Sequence, residues 1–312
     1  MSGHPCCTAE RGADAAARRP PKTNLPQDGL LRQSGCMDED FSDAVLVVMG
    51  HGTELNENSA VPVRQHVAEL RKRRIFRDVR EAFWKQEPQI KTVLSEISAP
   101  RIFIAPLFIS EGYFAGQVIP RALGFENGTR TLNIKGSQIH FCRPVGTHDS
   151  MTRVILSRVD GILKAFPFPR APKQSETTLF IAGHGTEKNE NSRKPVERQV
   201  ELIRGIGVYA DVHAIFLDEA PRIPDCYTMA RTKNLVIVPF FISDGLHTQE
   251  DIPVLLGETK KNIAQRVAAG QPVWRNPMEH SGKLIWYTAA VGTDAGMANV
   301  ILERVRETLA DR

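Results

Sequence analysis

The sequence predicts an α/β fold made of two tandem units, each a small parallel sheet flanked by helices, with a cleft between them. Three observations carry this reading. The chain repeats itself: Gly50-His51-Gly52-Thr53-Glu54 returns as Gly183-His184-Gly185-Thr186-Glu187, and the segment Leu107 to Gly112 returns as Phe240 to Gly245, both at an offset of 133 positions. A register held without a gap over about seventy residues marks two copies of one structural unit. Short apolar runs ending in glycine or proline alternate with stretches of helical period, as a parallel sheet requires. Each shared motif directly follows an apolar run, at the carboxyl end of a strand, where open parallel sheets bind ligands.

The elements follow in order. Residues 1–43 form an extension; Met1 to Gly35 is rich in Arg, Pro, Ala and Gly, shows no period and reads as disordered. His4, Cys6 and Cys7 lie there and gain no fixed geometry from it. Met37, just ahead of the first strand, is an alternative start. Residues 44–166 form the first repeat, 167–177 a proline-rich linker and 178–312 the second repeat. Ala44 to Met49 is a buried strand. Ser59 is placed to cap a helix running to about Arg74, with Val63, Val67 and Leu70 on one face. A strand near Val79 to Trp84 follows, and Pro88 should open a helix. Arg101 to Phe108 is the third strand, a helix starts at about Gln117, a strand lies near Ile139 to Cys142, and the last helix spans Thr147 to Phe166. The second repeat predicts strands at Thr178 to Ala182, Val212 to Leu217, Leu235 to Phe241 and Leu284 to Thr288. Its helices start at Ser192, near Glu250 and at Asp294. Val145-Gly146-Thr147 matches Val291-Gly292-Thr293 at an offset of 146, so the second repeat carries 13 extra residues around Lys260 to Asn276.

Composition narrows the function. A net charge of +4 over 312 residues, with no basic stripe interleaved with aromatics, gives no reason to expect nucleic acid as a partner. No apolar stretch is long enough to span a bilayer, so no membrane partner is expected. The five cysteines are odd in number and lack C-x-x-C spacing, which points to a reducing cytoplasm and away from disulfides or structural zinc.

Differences between the copies point to the chemistry. His247, Glu250 and Asp251 stand where the first copy has Phe114, Gln117 and Val118. Glu219 stands where the first has Gln86. The loop frame survives twice, but the ionisable groups survive once. His184 and His247 are therefore candidate metal ligands on facing loops. Two imidazoles suit a borderline transition metal and leave most of its coordination positions open, as a transient site needs. A GHG tripeptide alone is a weak signal. Asn189, Asn191 and Ser192 read first as turn and cap residues. Glu250 and Asp251 also suit the start of a helix, where acids complement the dipole.

The runs GHGTEKNENS, VPFFISDGLHTQEDIPVLLG and AVGTDAGMANVILERV resemble the class II sirohydrochlorin chelatases of the CbiX/SirB type, and the resemblance extends from Ala44 to Leu309. It implies insertion of a divalent metal into sirohydrochlorin: cobalt on the route to cobalamin, or iron on the route to sirohaem. The metal is substrate (cobalt, alternatively iron or nickel), and no organic cofactor is implied. The family's two metal-contacting histidines map onto His184 and His247. Many two-unit members hold that pair in the first half, whereas here only His51 remains there. The first half then supplies a wall of the cleft. Tandem units pairing within one chain imply a monomer.

A histidine that binds metal cannot take a pyrrole proton through the same nitrogen, so Glu250, Asp251 and Glu219 are candidate bases. Thr186, Asn189, Ser192, Ser243 and Arg193 are candidate substrate contacts. Lys188, Lys194 and Arg222 are further cations for the substrate's carboxylates. Two other classes stay open. One is a carrier that binds tetrapyrrole or metal without turnover. The other is a hydrolase, disfavoured because no G-x-S-x-G elbow is present.

Overall fold

A computed structural model describes residues 39–53, 59–126, 128–168, 170–186 and 190–310. The predicted disordered stretch to Gly35 lies outside them. Asp40 to Arg312 form one compact unit, and it contains two five-stranded sheets.

The first half runs β1 (Ala44–Gly50), α1 (Val61–Arg73), β2 (Asp78–Phe83), α2 (Ile90–Glu96), β3 (Arg101–Pro106), α3 (Ile119–Ala122), β4 (Thr131–Ile134), β5 (Ser137–Phe141) and α4 (Met151–Ala165). The second runs β6 (Thr177–Gly183), α5 (Lys194–Ile206), β7 (Asp211–Phe216), α6 (Cys226–Met229), β8 (Asn234–Pro239), α7 (Ile252–Leu255), α8 (Lys260–Ala268), β9 (Met278–His280), β10 (Lys283–Tyr287) and α9 (Met297–Ala310). The strand orders are β2-β1-β3-β5-β4 and β7-β6-β8-β10-β9. Central strands pair in parallel; β1 sets Gly50 against Phe83, and β6 sets Gly183 against Phe216. Every residue of β1 and β6 is buried, as expected of strands covered on both faces.

The antiparallel edge strands β4 and β9 are absent from the sequence reading. Most of β4 is exposed, so it shows no apolar run. Two-residue turns hold both hairpins, at Lys135-Gly136 and Ser281-Gly282, all four residues having positive φ. The 13 extra residues of the second repeat are accounted for largely by α8.

Several boundaries differ from expectation for local reasons. Ser59 and Ser192 do not cap. Ala60 and Arg193 take the cap positions, with a proline in the first turn of each helix, and both serine hydroxyls are buried without a hydrogen-bond partner among the described residues. Pro88 does not open α2. The Glu87–Pro88 and Ala220–Pro221 bonds are cis, and the carbonyls of Pro88 and Pro221 accept from the amides of Phe83 and Phe216. Phe41 lies inside the predicted extension but is buried against Phe76 and Phe103, so ordered packing begins ahead of β1.

The halves are interlocked. Helix α4 packs on β8 and β10 of the second sheet, and α9 packs on β3 of the first. One hydrophobic core therefore runs through both halves, joining Leu46, Phe103 and Val154 to Leu179, Val236 and Val300. Among the described residues, no helix is long and apolar enough to cross a membrane.

Candidate active site

The loop after β6 begins at Gly183, where a Cβ would lie 2.8 Å from Val196, so only glycine lets the strand end against α5. Gly185 has φ of +72°, and a Cβ there would lie 2.7 Å from the Glu219 side chain. Between these glycines His184 is turned outward, half-exposed. Its Nδ1 lies 2.9 Å from the Gly185 carbonyl and 3.3 Å from Asp218 Oδ2. Both neighbours are acceptors, so Nδ1 carries the hydrogen and Nε2 keeps the lone pair.

His247 opens a π-helical turn, His247–Asp251, ahead of α7. The wider turn brings Asp251 Oδ2 within 2.7 Å of His247 Nδ1. A carboxylate accepting from Nδ1 leaves Nε2 as the ligating atom, the usual arrangement behind a metal-binding imidazole. The two rings are perpendicular (89°) with centroids 4.9 Å apart. Phe241 borders both, at 6.4 and 6.0 Å. The sequence-predicted pair is thus brought together, tethered through Nδ1 on both sides.

The predicted acids are placed differently from one another. Glu219 is mostly buried; it accepts from the Thr186 amide at 3.1 Å and pairs with Arg193 Nη1 at 3.2 Å. Glu250 is more open and pairs with the exposed Lys260 of α8 at 2.8 Å. Asp251 is held by His247. Arg193, expected to face the substrate, is committed instead to Glu197 at 2.7 Å, Glu219 and the Ala220 carbonyl at 3.0 Å. Lys194 pairs with Glu190, and Arg222 turns to the Leu217 carbonyl. Ser243 is half-buried on the loop below His247. Ser192 is turned inward, and Lys188 and Asn189 lie outside the described residues.

Three neighbours of the site escaped the sequence reading. Asp218 beside His184 replaces Lys85 of the first copy, a reversal of charge that comparison of the repeats could have found. Tyr287, whose hydroxyl donates to the Thr248 carbonyl at 2.8 Å, replaces Phe141 and was equally visible. Phe241 matches Phe108, so differences between the copies could not reveal it.

The first half repeats the posture with one histidine of the two. His51 Nδ1 lies 3.0 Å from the Gly52 carbonyl. Its ring faces Phe114 edge-on, at 5.8 Å and 81°. Phe114 stands where His247 stands, and Gln86 takes the place of Glu219, accepting from the Thr53 amide at 3.3 Å.

A duplicated parallel sheet with matched loops at its strand ends is a doubled α/β protein of the chelatase-like fold. The family model described as CbiX matches residues 45–162 and again 178–308, and the chain belongs to that family of metal chelatases. A probable sirohydrochlorin cobaltochelatase of Halobacterium salinarum is 39% identical over 277 residues, covering 84% of this chain and 90% of the relative. A sirohydrochlorin cobaltochelatase of Methanopyrus kandleri is 24% identical over 141 residues; the match covers 97% of that protein but 43% of this chain, in keeping with a doubled unit. Among solved structures, SirB from Bacillus subtilis with Fe3+ superposes with a TM-score of 0.61 at 17% identity, over 86% of this chain and 96% of SirB. DR2241 from Deinococcus radiodurans, described as similar to chelatases with two additional domains, gives a TM-score of 0.67 at 23% identity. That match covers 84% of this chain and 54% of DR2241.

Proposed function

We propose that this chain inserts a divalent metal, cobalt by preference, into sirohydrochlorin on the route to cobalamin. The observation that carries the reading is the His184–His247 pair, perpendicular at 4.9 Å and tethered on both sides through Nδ1. Family membership and the Halobacterium relative support it.

In this reading His184 and His247 take the incoming metal through Nε2. Two protein ligands hold it loosely enough to exchange water for pyrrole nitrogen. Insertion forms bonds from the metal to the macrocycle nitrogens and releases two N–H protons. Glu250 takes a proton, because its partner Lys260 is exposed and the pair is easily opened. Asp218, also exposed beside His184, is placed to take the other. Glu219 orders the loop by holding the Thr186 amide. Thr186 and Ser243 are offered as contacts to the macrocycle rim.

Two imidazoles do not separate cobalt from ferrous iron. The Bacillus enzyme SirB has been seen with Fe3+ and in complex with cobalt. Anaerobic insertion assays with cobalt, ferrous iron and nickel in parallel test the reading. Turnover that vanishes in His247→Ala and largely persists in His51→Ala supports it. Binding of sirohydrochlorin without turnover for any metal replaces it with a carrier.

A further inference from the structure

We propose that the first half carries a tetrapyrrole-binding platform where the second half carries its histidine pair. Tyr113 lies against the flat face of the macrocycle, Phe114 meets its edge, and Lys85 binds its carboxylates. The proposal rests on the reading of this chain as a sirohydrochlorin chelatase.

The argument starts from a position-by-position reversal at the offset of 133. Leu246 and His247 correspond to Tyr113 and Phe114, and Asp218 corresponds to Lys85. Glu219, Glu250 and Asp251 correspond to Gln86, Gln117 and Val118. Asp218, Glu219, Glu250 and Asp251 have no acidic counterpart in the first half, although Glu111 keeps the place of Asp244, and Lys85 puts a cation where Asp218 stands. Without those four acids the surface loses its hold on a divalent metal, and Lys85 offers a charged contact to a carboxylate.

The aromatic residues there are not core residues. Tyr113 is 67% exposed and Phe114 43%. Their rings meet edge to face at 6.2 Å, and Lys85 Nζ lies 5.8 Å from the Phe114 centroid. An exposed tyrosine ring beside a phenylalanine whose face holds an ammonium fits one chemical class, a flat conjugated ligand with anionic arms.

The carboxyl-end loops of each sheet make contact with the other half. His66 in α1, the helix that follows the His51 loop, donates from Nε2 to the Gly292 carbonyl at 2.7 Å. Gly292 sits so close to Ile242 that a Cβ would fall 2.1 Å from the Ile242 carbonyl oxygen. Ile242 begins the loop that leads to His247. The mirror contact runs from Gln199 in α5 to the His148 carbonyl at 3.2 Å. The loops at the carboxyl end of each sheet are thereby held against the first long helix of the other half.

The test separates the two ligands. Metal-free sirohydrochlorin is titrated into the full chain by absorbance, and cobalt is titrated separately by calorimetry. Tyr113→Ala with Phe114→Ala, and Lys85→Asp alone, should each weaken tetrapyrrole binding about tenfold and raise its KM, with cobalt binding unchanged. Lys85→Arg should restore binding. His247→Ala should do the reverse, losing cobalt and keeping the tetrapyrrole. If both platform variants bind sirohydrochlorin as the parent does while His247→Ala still stops turnover, the platform is wrong and the chelatase reading stands. A parent chain that binds no sirohydrochlorin overturns the chelatase reading, and the platform falls with it.

Discussion

Arg158 and Arg304 make the same reach in opposite directions. Arg158 of α4 donates to the Ala290 carbonyl at 2.9 Å and to Thr293 Oγ1 at 2.7 Å; Arg304 of α9 donates to the Pro144 carbonyl at 3.0 Å and to Thr147 Oγ1 at 2.8 Å. The residues correspond at the offset of 146, as do their acceptors. The halves therefore meet through a reciprocal contact of the kind that two-fold dimers use.

Arg304 is 2% exposed and also pairs with Glu307. Removing it takes two charge-assisted hydrogen bonds from the Pro144 carbonyl and the Thr147 hydroxyl, which keep only their bonds within the Pro144–Thr147 turn, and opens a cavity in the shared core. Arg304→Ala should cost about 3 kcal/mol, read as a lower midpoint in urea. Unfolding should remain a single transition, because the two halves share that core.

Burial depresses the His66 imidazole below its ordinary value of 6.5. The folded chain therefore binds fewer protons here than the unfolded chain does. Its contribution to stability is present above 6.5 and is lost as pH falls toward the lower folded value. His66→Gln copies its counterpart Gln199, which already bridges the halves as an amide. The urea midpoint should fall between pH 7.5 and pH 5.5 in the parent, and fall less in the variant.

The likeness of His51–Phe114 to His184–His247 makes the lost site restorable. Phe114→His with Val118→Asp and Lys85→Asp recreates the tethered ring and its acids. Calorimetric titration should then count two cobalt ions per chain in place of one. A stoichiometry that stays at one would show that the second half depends on more than these three positions.

Burial raises the Tyr287 phenol well above 10, so it stays a hydrogen donor to Thr248 throughout the working range. That bond braces the turn that carries His247. Tyr287→Phe should fold, since Phe141 fills the same position in the first half, at a cost of about 1 kcal/mol. Cobalt affinity should drop several-fold, measured by the same titration.

The repeat made much of this legible. Apolar runs marked all the buried strands, because a strand covered on both faces must be apolar along its length. His184 was visible in the repeated GHGT loop, and His247 as a difference between the two copies. Edge strands β4 and β9 were not, since exposed strands carry no such run. Helix starts were misplaced because serine signalled a cap, whereas proline three residues later set the first turn. Arg193 looked free because sequence gives no sign of the inward pairing with Glu219.

The stretch joining α4 to β6 has a consequence of its own. In a pair of identical subunits, every substitution is inherited by both faces at once. Replacing a histidine by phenylalanine would then erase the metal ligand on each side. Once a peptide joins the partners, a single codon alters one face and leaves its twin untouched. That join is enough to open the division between His247 and Phe114.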